Sequence, residues 1–342
     1  MATREQVIEL WQTCFHDDES FVRLFFDHVY TPSHLRSCER EGELLAMLQA
    51  LPYLFTAWGK EFECFYIAGV ATAPQERNKG LMRHLLGSTL QELGSKNIPL
   101  CLLIPAEPWL YDYYARSGFA TVCYTTETWI EPHDTMPRGY RECKIPADKQ
   151  HKLYDRLCRR RDASVLHMRP DYYIILADLR LSGGHVHTIA APDGTPCALA
   201  WVVTEPDRII VKEYVTTSSD ATKALICCLG KRYGNRNILY NRPTPTGTPR
   251  AMIRITDVPG LLQQWATAHP DVDVTLTVND PLIPRNNGTW HVADGRLSHP
   301  ARNAESIASI SVNRLTEFIF GQAGIGACHI PPVTPYVTLM LD

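Results

Sequence analysis

The chain has 342 residues, 45% of them hydrophobic and 21% charged, with a formal net charge of −3 at neutral pH. That length exceeds what one hydrophobic core supports, so two or three domains are expected, and the near-neutral balance excludes a global pull towards nucleic acid or an anionic membrane surface. No apolar run reaches bilayer length, and the eleven cysteines include no C-x-x-C pair, which reads as reduced thiols with neither a disulfide framework nor a zinc site.

Residues 1–5 lead into an acidic amphipathic helix rather than a leader peptide, so a cytoplasmic protein is expected. Asn287-Gly288-Thr289 matches a glycosylation sequon that is idle in that setting. Val7, Leu10, Trp11 and Phe15 share one helical face, and Phe21, Leu24, Phe25 and Val29 share another. Residues 44–48 and 62–72 read as strands.

The next stretch, "VATAPQERNKGLMRHLLGSTLQEL" at 70–93, passes from strand through a cationic loop to an amphipathic helix. Several free backbone N–H groups and the positive helix end converge there, with Gly80 sparing the close approach a Cβ. Such a site prefers phosphate oxygens, yet it is neither a G-x-x-x-x-G-K-[ST] loop nor a G-x-G-x-x-G fingerprint. A buried strand at 99–104, a short helix at 109–116 and a strand at 119–130 follow. Pro132, Pro137 and Gly139 then mark a boundary, giving a first domain of 1–135.

A basic helix at 147–161 opens the second domain, 136–245. Strands near 186–190, 198–204 and 208–216 follow, the first two joined by an Asp193-Gly194 hairpin signal. A helix at 220–231 and a strand at 237–240 complete an order that echoes 62–104, without the glycine-bearing cationic loop. Residues 242–249, rich in Pro and Thr, read as a linker. The third domain, 246–342, holds strands at 251–255, 272–278 and 290–292, helices at 259–268 and 312–320, and a terminal strand at 335–342.

Arg77-x-x-Gly80-x-Met82 resembles the acetyl-coenzyme A loop of the GCN5-related N-acetyltransferases, Gln/Arg-x-x-Gly-x-Gly/Ala, with bulky Met82 in the third place. Together with "GVATAP" before it and "LYDYYARSGF" at 110–119, it is similar to the enhanced intracellular survival branch of that family. "MIRITDVPGLL", "VNDPL", "GTWHV" and "SVNRLTEFIFG" resemble that branch's sterol-carrier-protein-like C-terminal domain. The resemblance implies an α/β (α+β) fold: two acetyltransferase-like domains, the second degenerate, then a sterol-carrier-like domain.

It further implies acetyl-CoA, or CoA, as cofactor and no metal. Arg77, Asn78, Lys79, Gly80 and Leu81 would hold the pyrophosphate, and the backbone of Val70 and Thr72 would pair with the pantetheine arm. Tyr114 would be the general acid, since a phenol with pKa of about 10 is protonated at neutral pH. The α-carboxylate of Asp342 would be the base, although the family tends to end in an aromatic residue. The expected partner is a small-molecule amine, polyamine-like or aminoglycoside-like, with no nucleic acid and no membrane; homo-oligomer formation stays open. Two alternatives stand beside it: a ligand-binding protein with an idle acetyltransferase scaffold, and a protein-lysine acetyltransferase. Glu107 reads as a helix-capping residue, His84 as a surface residue and Arg159–Arg161 as a solvated helix end. Trp11, Phe25, Tyr30, Trp58 and Phe62 are core or pocket aromatics.

Overall fold

The structure is a computed structural model that describes residues 2–341 apart from 132–134, 235, 301–307, 322, 326–327 and 329. In the first third, α1 (Arg4–Phe15) and α2 (Glu19–His28) precede β1 (Leu35–Arg40), β2 (Glu43–Ala57) and β3 (Lys60–Thr72). Then come α3 (Leu81–Ser95), β4 (Leu100–Leu103), α4 (Pro108–Ala115) and β5 (Ala120–Ile130). Thr3 and Gln6 start α1 with a reciprocal capping box.

β2 runs well past the 44–48 expected, through Pro52. It pairs with β1 as far as Gln49 and with β7 (Ala163–Leu166) only from Leu54. Pro52 thus falls between two neighbours on one side of the strand, where a missing N–H costs no ladder bond. Alternate β2 residues feed two cores. Met47, Leu51 and Phe55 pack with α1 and α2, while Ala46, Leu48 and Ala50 pack with α3.

The middle third has β6 (Arg141–Cys143), α5 (Ala147–Cys158), β7, α6 (Arg169–Leu181), β8 (His185–Ala190), β9 (Pro196–Thr204) and β10 (Arg208–Thr216), then α7 (Ser219–Tyr233) and β11 (Asn237–Thr244). β10 is parallel to β11 across α7, as β3 is parallel to β4 across α3. The repeat is therefore structural. Residues 242–249 are not a linker. β11 extends to Thr244 and β12 (Thr248–Ile255) starts four residues on, inserting antiparallel between β4 and β5.

The two halves share one sheet in the order β17-β7-β2-β3-β4-β12-β5-β11-β10-β9-β8-β6, with β1 also on β2 and β17 at Pro335–Tyr336. The last part holds α8 (Val258–Ala268), β13 (Val274–Asn279), β14 (Gly288–Ala293), β15 (Arg296–Ser298), β16 (Ala308–Ser311) and α9 (Val312–Phe320). Its four strands form a second sheet, β15-β14-β13-β16. Leu261, Trp265, Phe318 and Phe320 join the core built on α1 and α2, so this domain packs on the main sheet. Among the described residues no helix is long and apolar enough to cross a membrane.

Candidate active site

The parallel β3–β4 ladder spans only Cys64–Tyr66 against Leu100–Leu102. Beyond Tyr66, β3 keeps β2 on one side and opens on the other, which splays the two parallel strands. Gly69 forms a bulge in that open part, with φ of 55°, and a Cβ there would stand 2.3 Å from the Trp11 ring. Val70 and Thr72 lie on this stretch. The Thr72 carbonyl already accepts from Arg77 Nε at 3.2 Å, leaving less of it for a ligand.

The strand leads through a single turn of 3₁₀-helix, Pro74–Glu76, to the loop. Asn78 and Gly80 adopt left-handed φ of 63° and 79°, and α3 begins with no side-chain cap. Its first backbone bond runs from His84 to the Gly80 carbonyl, so the N–H groups of the first turn point outward unsatisfied by the helix. The loop's cations do not surround that point. Arg77 folds back onto Thr72, and Lys79 pairs with Glu76 at 3.1 Å. The anion-attracting elements are therefore the backbone and the helix end. The helix in the repeat differs. Ser218 caps α7 by accepting from Ala221, and Asp220 fills the first turn, so an anion is refused there.

A groove of about 760 Å³ starts at Gly80 and follows α3 past Arg83 and Gly87, with Tyr113 and Arg116 of the α4 region opposite and Leu282 closing one side. His84 lies exposed on it, and Glu107 stands at the α4 N-cap without a capping bond. Tyr114, one residue from Tyr113, turns inward and is 5% exposed against Phe119 and the α3 core. Burial raises its pKa above 10, so the phenol keeps its proton, and among the described residues its hydroxyl has no hydrogen-bond partner.

A second cavity, of about 580 Å³, opens between Tyr124, Glu127, Lys212, Trp201 and the chain's final segment, Leu339 and Leu341 included. Asp342 lies outside the described residues. The segment before it is held firmly. The His167 ring Nε2 lies 2.8 Å from the Thr338 carbonyl, and the Thr338 hydroxyl donates to Glu213. Glu213, fully buried, also pairs with Arg161. Arg161 is thus not solvated as its charge run suggested, while Arg159 pairs with Glu61 and Asp155 nearer the surface. Of the aromatics, Trp11, Phe25 and Phe62 are core, and Tyr30 and Trp58 are half-buried.

Glu142, His187 and Cys228 place donor atoms within 4.8 Å of one another at the β6 end of the sheet. The His187 ring spends its nitrogens on Glu142 at 3.0 Å and the Tyr233 hydroxyl at 2.7 Å, a complete hydrogen-bond chain without an ion. Tyr113 and Arg116 lie within the 110–119 motif but had no role assigned there, and Arg254 and Asp280, paired behind the groove, stand in "MIRITDVPGLL" and "VNDPL" with nothing in either motif to join them. The one available signal was an arginine inside the apolar run 251–255.

Residues 2–122 match the acetyltransferase (GNAT) domain family, and residues 258–329 match the sterol carrier protein domain family. Solved structures that share the fold include the following three. A conserved Enterococcus faecalis V583 protein, described as a probable N-acyltransferase, is 16% identical over 94% of this chain and 89% of that one, with a TM-score of 0.79. Eis1 from Mycobacterium abscessus is 14% identical over 95% and 89%, at 0.76. A GCN5-related N-acetyltransferase from Anabaena variabilis ATCC 29413 is 18% identical over 93% and 88%, at 0.75. No curated protein matches the chain.

Proposed function

We propose that this chain, an acetyltransferase with a GNAT domain over residues 2–122 and a sterol carrier protein domain over 258–329, moves an acetyl group from acetyl-CoA to a small primary amine. The observation that carries the reading is the uncapped start of α3 at Gly80, opening into a groove beside a strand whose edge is free from Ile67 onward. A pyrophosphate fits the first, and an extended pantetheine arm fits the second as an added strand.

In this reading the amine nitrogen attacks the thioester carbonyl carbon, the C–S bond breaks, the amine gives up a proton and the sulfur takes one. Backbone N–H groups of the bulge near Val70 would stabilise the oxyanion. Tyr114, kept protonated by burial, would donate to the departing thiolate. The Asp342 carboxylate would accept the amine's proton, and its neighbours Leu339 and Leu341 line the cavity assigned to the acceptor. Glu127 in that cavity, which Lys212 and Arg250 also line, would receive the ammonium group of the acceptor.

Calorimetric titration of CoA tests it. Binding in the micromolar range is expected, and Gly80→Asp, which sets a carboxylate where phosphate belongs, abolishes it. Unchanged binding in that variant would sink the assignment.

A further inference from the structure

Arg254 of β12 has no exposed surface, which is rare for a guanidinium and requires a full set of partners. Its Nη2 donates to both carboxylate oxygens of Asp280, at 2.7 and 2.8 Å, and its Nε donates to the Ser117 carbonyl at 2.9 Å. Nη1 donates to the carbonyl of Ile255. Asp280, equally buried, accepts in addition from the backbone N–H groups of Leu282 and Ile283 and from Asn286 Nδ2. A buried pair of this kind adds little net stability; what it adds is fixed geometry.

The two groups that Arg254 joins belong to two walls of one groove. Ser117 and Arg116 end the α4 wall, while Pro281 and Leu282 are the wall given by the C-terminal domain. Gly118, at φ of 85°, lets the two approach, since a Cβ there would stand 2.6 Å from Arg254 Nε. The same C-terminal loop is stitched to the third wall, α3. Gln91 Nε2 donates to the Leu282 carbonyl at 3.0 Å, and Arg285 Nη1 to the Gly94 carbonyl at 2.6 Å. Arg83 and Arg116 stand exposed along the groove, an electrostatic lining for phosphate.

We infer that the sterol-carrier-type domain completes the cofactor site: Leu282 forms a wall of the groove that takes the phosphate-bearing nucleoside end of CoA, and Arg254 and Asp280 are the positioning residues that hold it. This rests on the acetyl-CoA reading above. The acyl end of such a cofactor must run along β3, so the groove between α3 and α4 is left for the other end. Cofactor affinity then depends on a domain outside the acetyltransferase fold.

The test uses the full chain and CoA itself. Leu282 is only partly buried, so a charge can be set there without opening the core. Leu282→Asp should weaken CoA binding about tenfold through like-charge repulsion of the phosphates, whereas Leu282→Lys should bind as tightly as the parent or tighter. Both should keep the thermal midpoint measured without ligand. Asp280→Asn should weaken CoA binding as well; if it fails to fold, the Leu282 pair still decides. Equal effects of the two Leu282 charges, or none, overturn the inference. If CoA binds the parent and Gly80→Asp abolishes it while both Leu282 variants bind normally, the wall is wrong and the acetyl-CoA reading stands. No CoA binding by the parent overturns both.

Discussion

The Arg161 guanidinium lies 4.1 Å above the centre of the Tyr336 ring while its Nη2 pairs with the buried Glu213 carboxylate. Glu213 in turn accepts from the Thr338 hydroxyl. One cation from the turn after α5 thereby holds β10 and the final segment of the chain together. Tyr336 and Pro335 add a parallel bridge to β7 beneath it.

Removing that cation should release the segment. Arg161→Met leaves the buried Glu213 carboxylate without its cation and with only hydroxyls near, and breaking a buried pair in this way typically costs about 3–5 kcal/mol. The expected results are a lower urea midpoint and faster carboxypeptidase trimming of residues after Pro335. An unchanged midpoint would mean that the Arg161–Glu213 pair does not hold the segment.

Tyr114→Phe should leave CoA affinity unchanged while lowering kcat by about 10²-fold, because the phenol acts only as the thiolate forms. Burial holds the Tyr114 pKa above 10, so the parent's kcat should not fall through phenol ionisation anywhere below that pH. If turnover stays within about twofold of the parent on an amine panel, Tyr114 is packing for Phe119 and the proton comes from elsewhere.

The parts of this fold that were legible in the sequence are local ones. An uncapped glycine-led helix start, a β-branched strand before it and the 3.6-residue period of α9 are all written in neighbouring residues, and all three stand where expected. Pairing is not written there. β12 inserts between β4 and β5 from far along the chain, and its Pro/Thr-rich lead-in carries a linker's composition because a hairpin turn needs the same residues. Arg161 was misread for the same reason: a run of arginines at a helix end looks solvated until Glu213 arrives from β10. Arg254 was visible as a charge in an apolar strand, but only the fold supplies Asp280.

The proposed role of the Asp342 carboxylate can be tested from the last residues of the chain. Deleting Leu341 and Asp342, or extending the chain beyond Asp342, should reduce acetylation steeply while CoA binding stays near the parent value; the extension should also keep the thermal midpoint, whereas the deletion takes Leu341 from the core it packs against. Leu341 lines the cavity proposed for the acceptor, so the deletion also widens it; the extension does not, and the two together separate the carboxylate from the packing. Equal turnover by an extended and an unextended chain would remove Asp342 from the mechanism and turn attention to Glu127.

The final segment should also answer to acid. The Thr338 carbonyl can only accept, so the His167 Nε2 facing it at 2.8 Å carries the hydrogen, and the ring's Nδ1 is buried without a partner among the described residues. Burial lowers the His167 pKa from 6.5 to about 4, with the Thr338 hydrogen bond and then Glu213 opposing that shift and Arg161 and His151 adding to it. A histidine whose folded pKa is depressed favours the folded state fully above its unfolded value. That contribution is lost as pH falls from about 6.5 to about 4, and it is at most about 3 kcal/mol. Protonation would set a second N–H at Nδ1 with nothing to receive it, so the cheaper response is for the 335–341 segment to leave. His167→Gln keeps a donor for Thr338 and cannot titrate. Stability measured by urea unfolding between pH 4 and 7 should therefore fall with acid more steeply in the parent than in the variant, and carboxypeptidase trimming of residues after Pro335 should quicken with acid in the parent alone. Superimposable pH profiles for the two proteins would show that His167 stays neutral for another reason and that acid does not release the segment through it.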